Sequence, residues 1–143
     1  MKYLSMLIVL VFCLSACELE TSHNGKLDGW WLLTAVDTLP TGGHANVEAQ
    51  QCTWAFQGRL LELRDVPGQR GDYLLSFAQH GEDLLLSHPY LSARDSGDIA
   101  VQTPQPLHPY GIRTLSEQFS ITAINRQRMV LTSTSLRLYF RKI

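Results

Sequence analysis

Apolar residues recur at every second position along this chain, in short runs separated by polar or turn-forming residues. Trp31, Leu33 and Ala35 alternate with Trp30, Leu32 and Thr34, which predicts a strand over residues 30–37 with both faces partly apolar. Cys52, Trp54 and Phe56 share one face of a second predicted strand, residues 51–56, and Gln57-Gly58 turns the chain into a third over 59–64. The pattern repeats over 73–79 and 84–87 around a turn at 80–83, and again over 119–125, 129–133 and 136–142. Residues 38–49 and 65–72 carry Pro40, Gly42, Gly43, Pro67, Gly68 and Gly71 and read as loops. From His88 to Leu107, Pro89, Gly97, Pro104 and Pro106 interrupt regular structure, and residues 107–113 hold one more short predicted strand. No apolar stripe has the helical period. The fold class expected is therefore all-β, a small up-and-down antiparallel barrel of about eight strands, the size at which the interior just holds side chains or one small ligand.

One apolar run does not alternate. Leu4 to Phe12 is continuous, follows Lys2, and is too short to span a bilayer. It leads into Leu14-Ser15-Ala16-Cys17, where small residues precede a cysteine with no charge between. This pattern resembles the type II signal peptides of bacterial lipoproteins, in which the cysteine is acylated and becomes the new N-terminus. The resemblance implies a signal peptide over 1–16, an acylated Cys17 with a flexible tether over 17–26, and a barrel domain over 27–143. Each acyl methylene buried adds about 0.8 kcal/mol of membrane affinity, so several chains on Cys17 hold a domain at the bilayer. The plainer alternative is a secretory signal with an incidental cysteine; Cys13 is removed in either case.

Charge is nearly balanced, with 12 Lys and Arg against 13 Asp and Glu, which gives no net basic field for nucleic acid. Its distribution is uneven. Beyond Asp98 the sole acid is Glu117, against Arg113, Arg126, Arg128, Arg137, Arg141 and Lys142, so the C-terminal hairpin is basic. That hairpin reads as a solvated sheet face or as a docking patch for an anionic partner, with Trp30, Arg126 and Arg128 the candidate partner-facing residues.

After processing, Cys52 has no second domain cysteine to pair with, and its place on an apolar strand face reads as a buried thiol more readily than as a nucleophile. The five histidines are scattered, without metal-ligand spacing, and neither a Gly-x-Ser-x-Gly elbow nor a phosphate-binding loop is present. Paired carboxylates such as Glu82-Asp83 fall in turns. The residues thus point to no catalysis, metal or cofactor. Trp31, Trp54, Phe56, Phe77, Phe119 and Phe140 have the spacing of a barrel interior, either as packed core or as the lining of a cavity for a small apolar ligand. Six large side chains in a small barrel leave little empty volume.

Gly29-x-Trp31 resembles the Gly-x-Trp signature of lipocalins, whose tryptophan closes the barrel base under an arginine from the last strand; Arg137 or Arg141 matches that arginine by position. The chain is similar, through Cys17, Leu27-Asp28-Gly29-x-Trp31, Trp54-x-Phe56, Pro109-Tyr110-Gly111-Ile112, Phe119-x-Ile121, Met129-Val130-Leu131 and Leu138-x-Phe140-Arg141-Lys142, to small lipocalin-like lipoproteins of Gram-negative bacteria. It lacks the late Thr-Asp-Tyr motif and the C-terminal helix of larger lipocalins, which argues against a large ligand calyx. The resemblance implies a lipid-anchored protein of the cell envelope, at the outer membrane on its periplasmic face or at the cell surface. The expected role is a non-enzymatic binding or interaction module for an envelope protein; the alternative is a carrier with a small hydrophobic ligand inside the barrel.

Overall fold

The computed structural model describes residues 22–93 and 95–143. The expected signal peptide and Cys17 lie outside them. Ten strands form: β1 Gly29–Thr38, β2 Gly43–Asn46, β3 Cys52–Gln57, β4 Leu60–Asp65, β5 Tyr73–His80, β6 Asp83–Ala93, β7 Gly97–Ala100, β8 Glu117–Ile124, β9 Arg128–Thr132 and β10 Leu136–Lys142. Eight of them, in the order β1-β3-β4-β5-β6-β8-β9-β10, close into an antiparallel barrel when β10 pairs back onto β1, from Trp31 opposite Lys142 to Thr38 opposite Leu136. The two short strands are outriggers: β2 extends the sheet beside the upper half of β1, and β7 beside the upper half of β6. Among the described residues no helix is long and apolar enough to cross a membrane.

Strand direction defines two ends. At the base lie the start of β1, the β3–β4, β5–β6 and β8–β9 turns and the end of β10; the long connections lie at the top. The alternating pattern puts Leu61, Leu63, Leu75, Leu84, Leu86, Leu131 and Leu138 inside with the aromatics, in one continuous core.

Three departures from the sequence reading have clear causes. A bulge between Leu33 and Ala35 reverses the pleat of β1, so Val36 rather than Ala35 packs on the core. Strand β6 does not stop at Ser87 but runs on to Ala93, because a second irregularity absorbs Pro89: His88 takes a left-handed φ of 52° and pairing resumes at Tyr90 opposite Leu74. Residues 107–113 do not form a strand. Residues Gln105–Tyr110 wind instead into a 3-10 helix ended by Gly111 at φ 85°, since the fixed φ of Pro104, Pro106 and Pro109 suits a helical turn and Pro109 cannot donate to a ladder. The loop expected over 38–49 contains β2 and a 3-10 turn at Glu48–Gln50.

Candidate functional site

The interior comes first, because a carrier would need room there. All six aromatics singled out by the sequence, Trp31, Trp54, Phe56, Phe77, Phe119 and Phe140, are buried. Trp54 on β3 and Phe119 on β8 come from opposite walls, yet their rings stand edge-on with centroids 5.8 Å apart, and Phe140 lies 5.0 Å from Trp54. Phe56 and Phe77 make a second edge-on pair at 5.0 Å. The two buried indoles have their N–H groups satisfied by the chain itself. Trp31 Nε1 donates to the Leu27 carbonyl at 2.9 Å and Trp54 Nε1 to the Tyr110 carbonyl at 3.1 Å. The lumen at this level is filled by side chains rather than open to a ligand.

The top is plugged by the 3-10 segment, whose Leu107 and Tyr110, followed by Ile112, are fully buried. Sequence reasoning missed this plug. Its signal was present in three prolines flanking an isolated leucine and tyrosine, a pattern that no strand tolerates. Beside it, Cys52 is buried, and burial pushes its thiol up, away from reactivity. Burial likewise pushes the Tyr110 phenol well above its ordinary range.

At the base, neither arginine expected over Trp31 is there. Arg137 reaches Thr132, and Arg141 pairs with Glu48 at 2.6 Å. Lys142 takes the position, its ammonium 4.3 Å from the Trp31 ring centroid, because it is the residue directly across the ladder from Trp31. Gly29 makes this possible: it sits at φ 107°, and a Cβ there would come within 3.0 Å of Lys142 Cε and Nζ. Burial lowers the pKa of Lys142, partly opposed by Asp28.

The outer surface carries what the interior does not. Leu32 is buried where the Glu48–Gln50 turn lies against β1 and the Arg141–Glu48 pair crosses it, but Trp30, one pleat lower, is 43% exposed, with the Arg64 guanidinium 6.0 Å from its ring. Beside Trp30 the outer wall forms a groove of about 1520 Å³, with Ala55, Leu60, Glu62 and Leu74 on the wall and Ser22 to Asn24 along its edge. Residues 22–26, expected within the flexible tether, are held there: Gly58 N–H donates to Ser22 Oγ at 2.8 Å and Asn24 Nδ2 to the Gly58 carbonyl at 2.9 Å. Asp28 ties the segment down; burial works against its charge, but hydrogen bonds from Ser22 and Asn24 outweigh it and keep its pKa low. Arg126 and Arg128 are exposed at the β8–β9 turn, away from Trp30 in sequence but on the same rim. A second, apolar hollow of about 490 Å³ lies between His88-Pro89 and Leu115. Among the described residues no three His, Cys, Asp or Glu side chains are grouped to hold a metal ion.

Two solved structures share this architecture. A lipocalin-like protein from Bacteroides uniformis ATCC 8492 superposes with a TM-score of 0.63 at 16% identity, over 83% of this chain and 100% of its own. An uncharacterized protein from Bacteroides eggerthii DSM 20697 gives 0.59 at 13% identity, over 82% and 99%. Among curated proteins none matches. The lipocalin-like domain family matches residues 12–143, nearly the whole chain, and with a closed eight-stranded barrel, a Gly29-x-Trp31 base and a cation over that tryptophan, this protein belongs to that family.

Proposed function

We propose that this protein is a lipid-anchored, non-enzymatic component of the cell envelope whose barrel works as an interaction module through its outside. The observation that carries this reading is the contact of Trp54 with Phe119 across the lumen. A carrier needs an interior volume of some hundreds of Å³ for a small ligand, and rings from opposite walls occupy that space. Anchoring is supported by the lipobox at residues 14–17, and an external binding surface by the exposed Trp30 and its groove. Nothing in the residues favours catalysis: the buried Cys52 has its thiol pKa raised by burial.

The test is mass spectrometry of the full-length protein, expressed in a bacterium with lipoprotein processing and extracted in mild detergent. Under denaturing conditions the expected mass is that of a chain beginning at Cys17 plus acyl groups. Native conditions should add no further small molecule. A ligand present only in the native spectrum would overturn the external reading in favour of a carrier, and an unmodified N-terminus would overturn the anchor.

A further inference from the structure

Chain length constrains how the barrel sits. Only residues 18–21 separate Cys17 from Ser22, so Ser22 lies at most about 18 Å along a fully extended chain from the acylated residue. Ser22 is itself fixed to the base, bonded to Gly58 in the β3–β4 turn and to Asp28. With an acyl anchor at Cys17 the base is the end of the barrel held within that reach of the bilayer, and the top, with its plug, is the far end.

The rim that this geometry presents is continuous. The β8–β9 turn meets the chain end where Lys142 N–H donates to the Gln127 carbonyl at 2.8 Å. The chain end meets β1 where Ile143 N–H donates to the Trp30 carbonyl at 3.1 Å. On the other side β1 pairs with β3, whose turn carries Arg59 and Leu60. Along this rim Trp30 and Leu60 are each 43% exposed and Ile143 56%. Arg59, Arg126 and Arg128 are exposed there too, and among the described residues none of the three forms an ion pair. Of the acids near the base, Asp28 is held by hydrogen bonds from Ser22 and Asn24 and Glu62 pairs with Arg64, while Glu82 and Asp83 sit at the β5–β6 turn, on the opposite side of the barrel from β1.

We propose that this rim, Trp30, Leu60 and Ile143 set among Arg59, Arg126 and Arg128, docks on an anionic lipid surface and fixes the orientation of the barrel on the membrane. The proposal rests on the acyl anchor at Cys17. An indole with one apolar and one polar edge partitions to the headgroup region, short aliphatic side chains beside it enter the acyl boundary, and unpaired guanidinium groups are drawn to anionic phosphates within a Debye length. A one-sided rim tilts the barrel towards its β9-β10-β1-β3 side.

The test uses the full-length acylated protein on phosphatidylcholine vesicles, with and without phosphatidylglycerol, whose acyl chains carry bromine as a short-range quencher. Of the three tryptophans, Trp31 and Trp54 are buried, so quenching reports on Trp30. The expected result is quenched emission that is lost in Trp30→Phe and is stronger on the anionic vesicles. Replacing Arg59, Arg126 and Arg128 together by Ser should abolish the difference between the two vesicle types. Denaturing mass spectrometry of the same sample separates the two ways of failing. An acylated protein whose quenching is the same in Trp30→Phe overturns the docking rim and leaves the anchor standing; a chain without acyl groups overturns both.

Discussion

Lys142 lies over Trp31 at 4.3 Å because the ladder places the two residues opposite each other and because Gly29 has no side chain to occupy the space between. The Gly-x-Trp signature thereby acquires a physical meaning in this protein. The glycine admits the cation that covers the tryptophan, and the same ammonium donates to the carbonyl of Asp28, closing the barrel base between its first and last strands.

Removing that cation should loosen the base. Lys142→Met keeps the length of the side chain but not its charge, and should cost about 2–4 kcal/mol, the sum of a partly desolvated cation–π contact and a charged hydrogen bond. Lys142→Arg should recover most of this, and Gly29→Ala should cost at least as much as Lys142→Met. The check is a shift of the urea midpoint at unchanged slope.

The lumen contact is measurable by itself. Trp54→Ala should destabilise by about 3–5 kcal/mol, as expected for an aromatic residue excised from a packed interior. In a double-mutant cycle, Trp54 and Phe119 should show a coupling of about 0.5–1.5 kcal/mol. A near-neutral Trp54→Ala would mean an open lumen and return the carrier reading.

The plug should be intolerant of a single methyl group. At Gly111, φ is 85° and a Cβ would fall 2.6 Å from Leu138 Cδ2 in the core, so Gly111→Ala should cost about 2–4 kcal/mol through strain and overpacking together. Gly58 has a comparable φ of 60° but open space around it, and Gly58→Ala should cost only about 1 kcal/mol. Thermal melts of the two variants make the comparison.

Acid should destabilise the protein through Asp65, among other carboxylates. Asp65 is buried; burial raises its pKa, but backbone N–H groups of Arg70, at 3.0 Å, and Gln69, at 2.8 Å, more than reverse this and leave it below the ordinary value. The unfolded chain then takes up the proton first, so the contribution of Asp65 is full above the ordinary aspartate value of about 3.9 and is lost as pH falls through the lower native one. Stability should decline below about pH 4, and Asp65→Asn should flatten that decline. Urea midpoints across pH 2 to 6 give the measurement.

Strand positions were legible in the sequence wherever alternation was uninterrupted. Residues 51–56 and 136–142, for example, need only the period of the pleat to be recognised. The six interior aromatics could be identified for the same reason, since a strand in a closed barrel has one inward face. Trp30 could be assigned outward from the parity of its neighbour Trp31.

What the sequence could not decide were relationships between distant positions. The bulge at Leu33/Ala35 is a shift in the register of β1 against β10, a pairing between the two ends of the chain that no single segment sets. The choice of Lys142 over Arg137 or Arg141 as the cap of Trp31 depended on the register of β10 against β1, more than a hundred residues apart in the chain. The filled lumen followed from Trp54 and Phe119 having side chains long enough to meet across the barrel. Likewise, the rim of Trp30, Arg59, Arg126 and Ile143 is one surface only because the first and last strands pair. Composition and period determine which residues face inward; closure of the barrel alone determines which of them meet, because contact across a ring is set by its circumference and register rather than by any local preference.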